Sequence, residues 1–233
     1  MTLLNWELTP EDVVILSDTL ALSGDQKRPR GFMTKVFPAL HLNALITGTG
    51  LIDVVTQFYL RVVRSTIADD VVHLAEYAPK VLQGIWAELA DQLPPDATTT
   101  IYVFGIAKDT GEFVGHAYRS TNYFEAEAMI HARAAKPAPS MAQLEAVENL
   151  ADFVKLALHQ QADDRVLPRM SRVGIGGDLW AYFLGKDEEG AMTMSIHRVL
   201  RMPHYEQDHE LMLATLPENE GHPRSLAALA LDP

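Results

Sequence analysis

The sequence has no cysteine among its 233 residues. That excludes disulfides, a cysteine nucleophile, iron–sulfur clusters and thiolate zinc sites. Long apolar runs are missing too. The longest charge-free stretch, Val36 to Ile52, is broken by Pro38, Asn43, Gly48 and Gly50 and is too short to span a bilayer. The opening Met1-Thr2-Leu3-Leu4-Asn5 has no basic segment followed by an apolar one, so no secretory signal is read. Positive charge is outweighed: 19 Lys and Arg stand against 31 Asp and Glu, a net charge of −12. Such a balance repels nucleic-acid phosphates and anionic membrane surfaces. A cytoplasmic protein without nucleic-acid or membrane partners is expected.

What remains is ordinary globular composition, with 48% hydrophobic and 21% charged residues. Residues 1–233 read as a single domain, of which about the last 30 residues form a polar tail. Thr2–Leu8 alternates apolar residues, Thr9-Pro10-Glu11-Asp12 reads as a turn, and Val13–Leu16 is a β-branched run of strand length. An exposed loop is expected over Ser23–Gly31, then strands at Lys35–Phe37 and Leu42–Thr47. Helical spacing follows at Leu51–Arg64. A second helical stretch is capped by Asp69 or Asp70, with Pro79 opening its last part as a first-turn proline. Pro94-Pro95-Asp96 marks a stop between two halves. Hairpins are predicted over Thr98–Tyr118 and Gly174–Val199, with one long helix, Gln143–His159, between them. Strands, helices, strands, helix, strands in that order suggest an α+β protein of two antiparallel sheets layered with helices. A parallel doubly wound sheet is the second choice.

The chemistry centres on Thr2. If Met1 is removed, a Thr with a free α-amine carries nucleophile and base in one residue. An α-amine titrates near pH ~8, so a neighbouring cation readily keeps it in the basic form. Asp18 ends the second strand, and a hairpin from Thr2 returns that strand end to the N-terminus. Lys35 opens the next strand, so an Asp–Lys pair can hold a cation beside the Thr hydroxyl. Gly48 follows the strand Asn43–Thr47; its N–H can stabilise an oxyanion.

Together, Thr2, the run Val13-Val14-Ile15-Leu16-Ser17-Asp18, Lys35-Val36-Phe37 and Ala44-Leu45-Ile46-Thr47-Gly48 resemble the proteasome β-subunit and HslV family of N-terminal-nucleophile (Ntn) hydrolases. The match is carried by about the first 65 residues. It implies a four-layer αββα sandwich that assembles with itself into rings, and threonine-dependent peptide or amide hydrolysis without a cofactor or metal. It further implies Thr2 as nucleophile, Lys35 as the cation beside it, Asp18 as its holder and Gly48 N–H as oxyanion donor. An ATPase unfoldase partner is left open. The chain departs from the family at Leu22, where a small hydroxyl residue is usual. Asn122-Tyr123-Phe124-Glu125 stands in place of a Ser-Gly-Ser-like motif. No clean late aspartate is found either: the spacing gives Arg172, with Asp163 and Asp164 upstream. An inactive structural subunit is therefore the main alternative.

Other motifs are weaker. Gly48-Thr49-Gly50 begins a dinucleotide fingerprint, but Asp53 takes the third glycine's place, leaving a nucleotide-binding enzyme as a second alternative. Val173-Gly174-Ile175-Gly176-Gly177-Asp178 lacks the Lys-Ser/Thr of a phosphate loop and reads as a bent strand. His204, Glu206, Asp208 and His209 have metal-ligand chemistry but read as a solvated tail. His116 and His197 fall in strand patterns.

Overall fold

The computed structural model describes residues 2–23, 28–65 and 67–215. The chain opens with β1 (Leu4–Leu8), β2 (Val13–Asp18), β3 (Leu20–Leu22), β4 (Pro29–Phe32), β5 (Val36–Ala39) and β6 (Ala44–Thr49). Helices α1 (Ile52–Ser65) and α2 (Val71–Leu89) follow, then β7 (Thr100–Ile106), β8 (Phe113–Arg119), β9 (Ala126–Met129) and β10 (Ala132–Lys136). The remainder is α3 (Met141–Glu145), α4 (Leu150–Val166), β11 (Asp178–Lys186), β12 (Met192–Arg201) and α5 (Tyr205–Thr215).

Two five-stranded sheets run β10-β1-β2-β11-β12 and β5-β6-β7-β8-β9, with β3-β4 a separate ribbon. Both sheets are antiparallel at every pairing, which removes the doubly wound alternative. Strand alternation sorts the side chains into three cores. Leu4, Trp6, Leu8, Val13 and Ile15 meet Tyr102, Phe104 and Phe113 between the sheets. The other face of the second sheet packs Ile46, Ile101 and Val103 against α1 and α2. The other face of the first packs Leu3, Leu16, Leu179 and Ala181 against Phe153, Leu156 and Ala157 of α4. These layers make the α+β, four-layer αββα sandwich expected from the sequence. Among the described residues, no helix is long and apolar enough to cross a membrane.

Several local expectations need correction. Pro79 does not open a helix; α2 passes through it. Burial of Leu74, Ala78, Leu82 and Ile85 around it offsets the lost backbone hydrogen bond. The helix read over Gln143–His159 is two helices. Ser140 and Gln143 form a capping box on α3, and the Asn149 side chain accepts from Asp152 N to start α4 afresh. Pro94–Asp96 is no divide in space, because β6 and β7 pair across it. The expected Ser23–Gly31 loop is shorter at its end, because Pro29–Gly31 belong to β4 and pair with β3; its residues 24–27 lie outside the described ones. The tail after Met202 is helical over α5, while its Leu/Ala-rich end lies outside the described residues.

Candidate active site

The β1–β2 hairpin brings the start of the chain back to the end of β2, as Leu4 pairs with Ser17. Just beyond that pair, the Thr2 hydroxyl donates to Asp18 Oδ1 at 2.8 Å, and Leu3 N donates to the same oxygen at 3.1 Å. Lys35 Nζ reaches that oxygen at 2.7 Å and also donates to the Leu20 carbonyl at 2.7 Å. Asp18 Oδ2 accepts from Gly176 N at 3.0 Å and Leu20 N at 3.3 Å. The carboxylate is thus held by a hydroxyl, an ammonium and three backbone amides. Thr2, Asp18 and Lys35 are only 5%, 1% and 5% exposed. Burial pulls the Lys35 ammonium below the usual lysine range, while the charge and hydrogen bond of Asp18 oppose that shift. A strand-end charge in solvent would have been dispensable. This pair is buried, so removing Lys35 alone leaves a carboxylate without its counter-ion and costs about 3–5 kcal/mol.

The structure therefore brings Thr2, Asp18 and Lys35 into one corner. Gly48 is tied to it less directly: the adjacent Thr47 hydroxyl donates to the Lys35 carbonyl at 2.9 Å. The glycine itself is required by packing, since a Cβ there would lie 2.7 Å from the Thr100 carbonyl and from Val55 Cγ2. The same close packing explains Gly50, which has φ +101° against Thr98 and Thr99. The Gly48-Thr49-Gly50 run is thus accounted for by an antiparallel strand end rather than by a dinucleotide turn.

Sequence reasoning missed how the corner is supported from behind. Asp164, near the end of α4, accepts from Val173 N at 2.6 Å, Gly174 N at 3.0 Å and Ile175 N at 3.3 Å. Gln161 donates to the Ile175 carbonyl at 3.2 Å. These bonds set the 173–177 segment so that Gly176 N meets Asp18 and Asp178 N meets the Thr19 hydroxyl at 2.8 Å. Gly177 has φ +79°, and a Cβ on it would strike Thr19 Oγ1 at 2.2 Å. With four of its five amides given to Asp164 and Asp18, this segment lacks the run of free N–H groups that cradles a phosphate. A glycine-dense stretch some ten residues after the acidic pair Asp163-Asp164 was the signal available.

The departures noted above also find structural uses. Leu22 packs where a Cβ on Gly174 would fall, 2.2 Å from Leu22 Cδ1. Asn122–Glu125 forms the corner between β8 and β9, with Asn122 Nδ2 bonded to Glu127 at 2.7 Å and the Tyr123 carbonyl accepting from Gln83 of α2 at 2.8 Å. In α5, Asp208 pairs with Arg165, Glu206 accepts from Arg201 at 3.2 Å, and His209 lies beside Phe32 and Tyr205. Among the described residues no group of His and carboxylates is placed to hold a metal.

Two antiparallel sheets between helical layers make a proteasome-like fold. No family model matches the chain, and no curated protein matches it. Solved structures do. Anbu (ancestral beta-subunit) from Yersinia bercovieri aligns over 96% of this chain and 100% of its own, with a TM-score of 0.57 at 12% identity. A Gly-1 mutant of Anbu from Hyphomicrobium sp. strain MC1 gives 0.57 at 14%, over 92% and 93% of the two chains. The Anbu complex of Pseudomonas aeruginosa, solved as a helical assembly, gives 0.57 at 13%, over 96% and 98%. These likenesses carry the fold alone. They also correct the expected kinship with proteasome β-subunits and HslV, because these three similar structures are Anbu proteins, which are proteasome-like but distinct. The segments that carried that expectation build one corner, and a corner does not identify a family.

Proposed function

We propose that this chain is a single-domain threonine hydrolase of the Ntn type that cleaves peptide or other amide bonds. The observation that carries the reading is one oxygen, Asp18 Oδ1, with the Thr2 hydroxyl at 2.8 Å and the Lys35 ammonium at 2.7 Å. With the Thr2 α-amine free, that amine accepts the hydroxyl proton as Oγ attacks the amide carbon. The nearby ammonium disfavours a second positive charge and so keeps the amine basic. Asp18 orients both groups. The Gly48 N–H is the proposed donor to the oxyanion. As the carbon–nitrogen bond breaks, the proton passes to the departing amine and an ester remains on Thr2. Water then hydrolyses the ester, its proton returning through the same α-amine. No cofactor enters these steps, and self-association is proposed for the assembled form.

A second reading is a structural subunit in which the corner is a buried knot. What favours it is the near-complete burial of all three side chains and the commitment of the Thr2 hydroxyl to Asp18.

Intact mass and turnover separate the two. Protein short of Met1 should release product from peptide amides, and Thr2→Ala should abolish that release while leaving assembly unchanged. Equal turnover by Thr2→Ala would remove the mechanism. A protein with a free Thr2 amine that cleaves nothing would leave the structural reading.

A further inference from the structure

A cavity of about 510 Å³ lies between the β3–β4 ribbon, the end of α4 and α5. That volume suits a small molecule. One wall is apolar, made by Leu20, Leu22, Pro29 and Leu211. Against it stand four cations, Arg28, Arg165, Arg169 and Arg172, with the carboxylates Asp164 and Asp208. In a chain of net charge −12, such a gathering runs against the overall field.

Counter-charge inside the cavity is already committed. Asp164 spends both oxygens on the backbone amides of 173–175. Asp208 pairs with Arg165 through one oxygen. Arg172 uses Nε on the Leu167 carbonyl at 2.9 Å, which leaves the remainder of its guanidinium to the cavity. Arg28 and Arg169 have no carboxylate partner among the described residues.

We infer that this cavity binds a small organic oxyanion whose carboxylate or phosphate group meets Arg28, Arg169 and Arg172 and whose apolar body lies along Leu20, Leu22 and Leu211. A planar guanidinium fork suits either head group. The site stands whether or not Thr2 is a nucleophile. It also abuts the Asp18 corner, because Leu20 gives its carbonyl to Lys35 and Gly174 belongs to the segment held by Asp164.

The test is calorimetric titration of the full chain at constant ionic strength with three probes: inorganic phosphate, phenyl phosphate and N-acetylleucine. Phosphate tests the head group alone. Phenyl phosphate and N-acetylleucine add an apolar body to a phosphate and a carboxylate. At least one of the two organic probes should bind more tightly than inorganic phosphate, and the stronger one identifies the head group. Arg28→Gln with Arg169→Gln should weaken that binding about tenfold or more, as expected for losing charge-assisted contacts, while the melting temperature stays near that of the parent. Absence of binding by both organic probes would overturn the proposal. So would unchanged affinity in the double variant.

Discussion

The two helical layers of this sandwich are built from different chemistry. The layer of α1 and α2 buries Val54, Val55, Phe58 and Val62 with Val71, Leu74, Ala78, Leu82 and Ile85, and no polar residue among them. On the opposite side, α4 buries Gln160, Gln161 and Asp164 along with Phe153, Leu156 and Ala157. Apolar packing is non-directional and holds a sheet in place without fixing any one atom. Hydrogen bonds are directional, and each of the three polar residues of α4 fixes a particular backbone or side-chain partner. Gln160 bonds Asn5 of β1 and the Pro137 carbonyl, Gln161 bonds the Ile175 carbonyl, and Asp164 bonds the 173–175 amides. One layer supports the fold; the other positions the Asp18 corner.

If that division holds, substitutions in the two layers should separate stability from turnover. Phe58→Ala, in the apolar layer, should cost more than any polar change in α4, about 3–5 kcal/mol by thermal or denaturant unfolding. Molecules still folded at low temperature should keep their turnover per folded chain. Asp164→Ala should cost about 1–3 kcal/mol through its three unpaired amides, yet lower turnover well beyond the folded fraction, since Gly176 N loses its placement on Asp18. Equal losses of stability and turnover in both variants would erase the distinction.

Smaller effects sharpen it. Gln160→Leu should cost about 1 kcal/mol by leaving buried Asn5 unsatisfied, and adding Asn5→Leu should recover part of that loss because both partners are then apolar. The apolar layer has its own sensitive point in His116, on β8 behind Tyr118. Burial lowers its affinity for a proton below the ordinary value of 6.5, and Asp70 opposes the shift. Below that pH the unfolded chain takes up a proton that the folded chain refuses, so stability falls with acidification. His116→Leu should flatten the dependence of melting temperature on pH in the window just below 6.5.

The legible parts of the sequence were those with local chemistry. The alternation of Leu4, Trp6 and Leu8, the β-branched run ending in Asp18 and the turn between them define a hairpin, and the hairpin alone puts Thr2 beside Asp18. Strands β9 and β10 escaped because Ala126-Glu127-Ala128-Met129 and Ala132-Arg133-Ala134-Ala135-Lys136 are alanine-rich and lack β-branched residues. They form edges whose pairing comes from β8 and β1. Helix α5 escaped for a related reason. It is held by stacking of Tyr205 on Phe32, at 4.6 Å between ring centroids, and by the Asp208–Arg165 pair, both long-range contacts. Asp164 was visible only as an upstream acid, since its partners are backbone amides that no side-chain pattern marks.

The most direct test of the central claim is the mass of the N-terminal peptide after protein lacking Met1 is treated with a β-lactone. Ring opening by an activated Thr2 hydroxyl leaves an ester on that residue. The expected result is a single adduct on Thr2, lost when Lys35 is replaced by Met in protein that remains folded. An unmodified N-terminal peptide from folded protein with a free Thr2 amine would contradict the claim that this corner makes Thr2 a nucleophile.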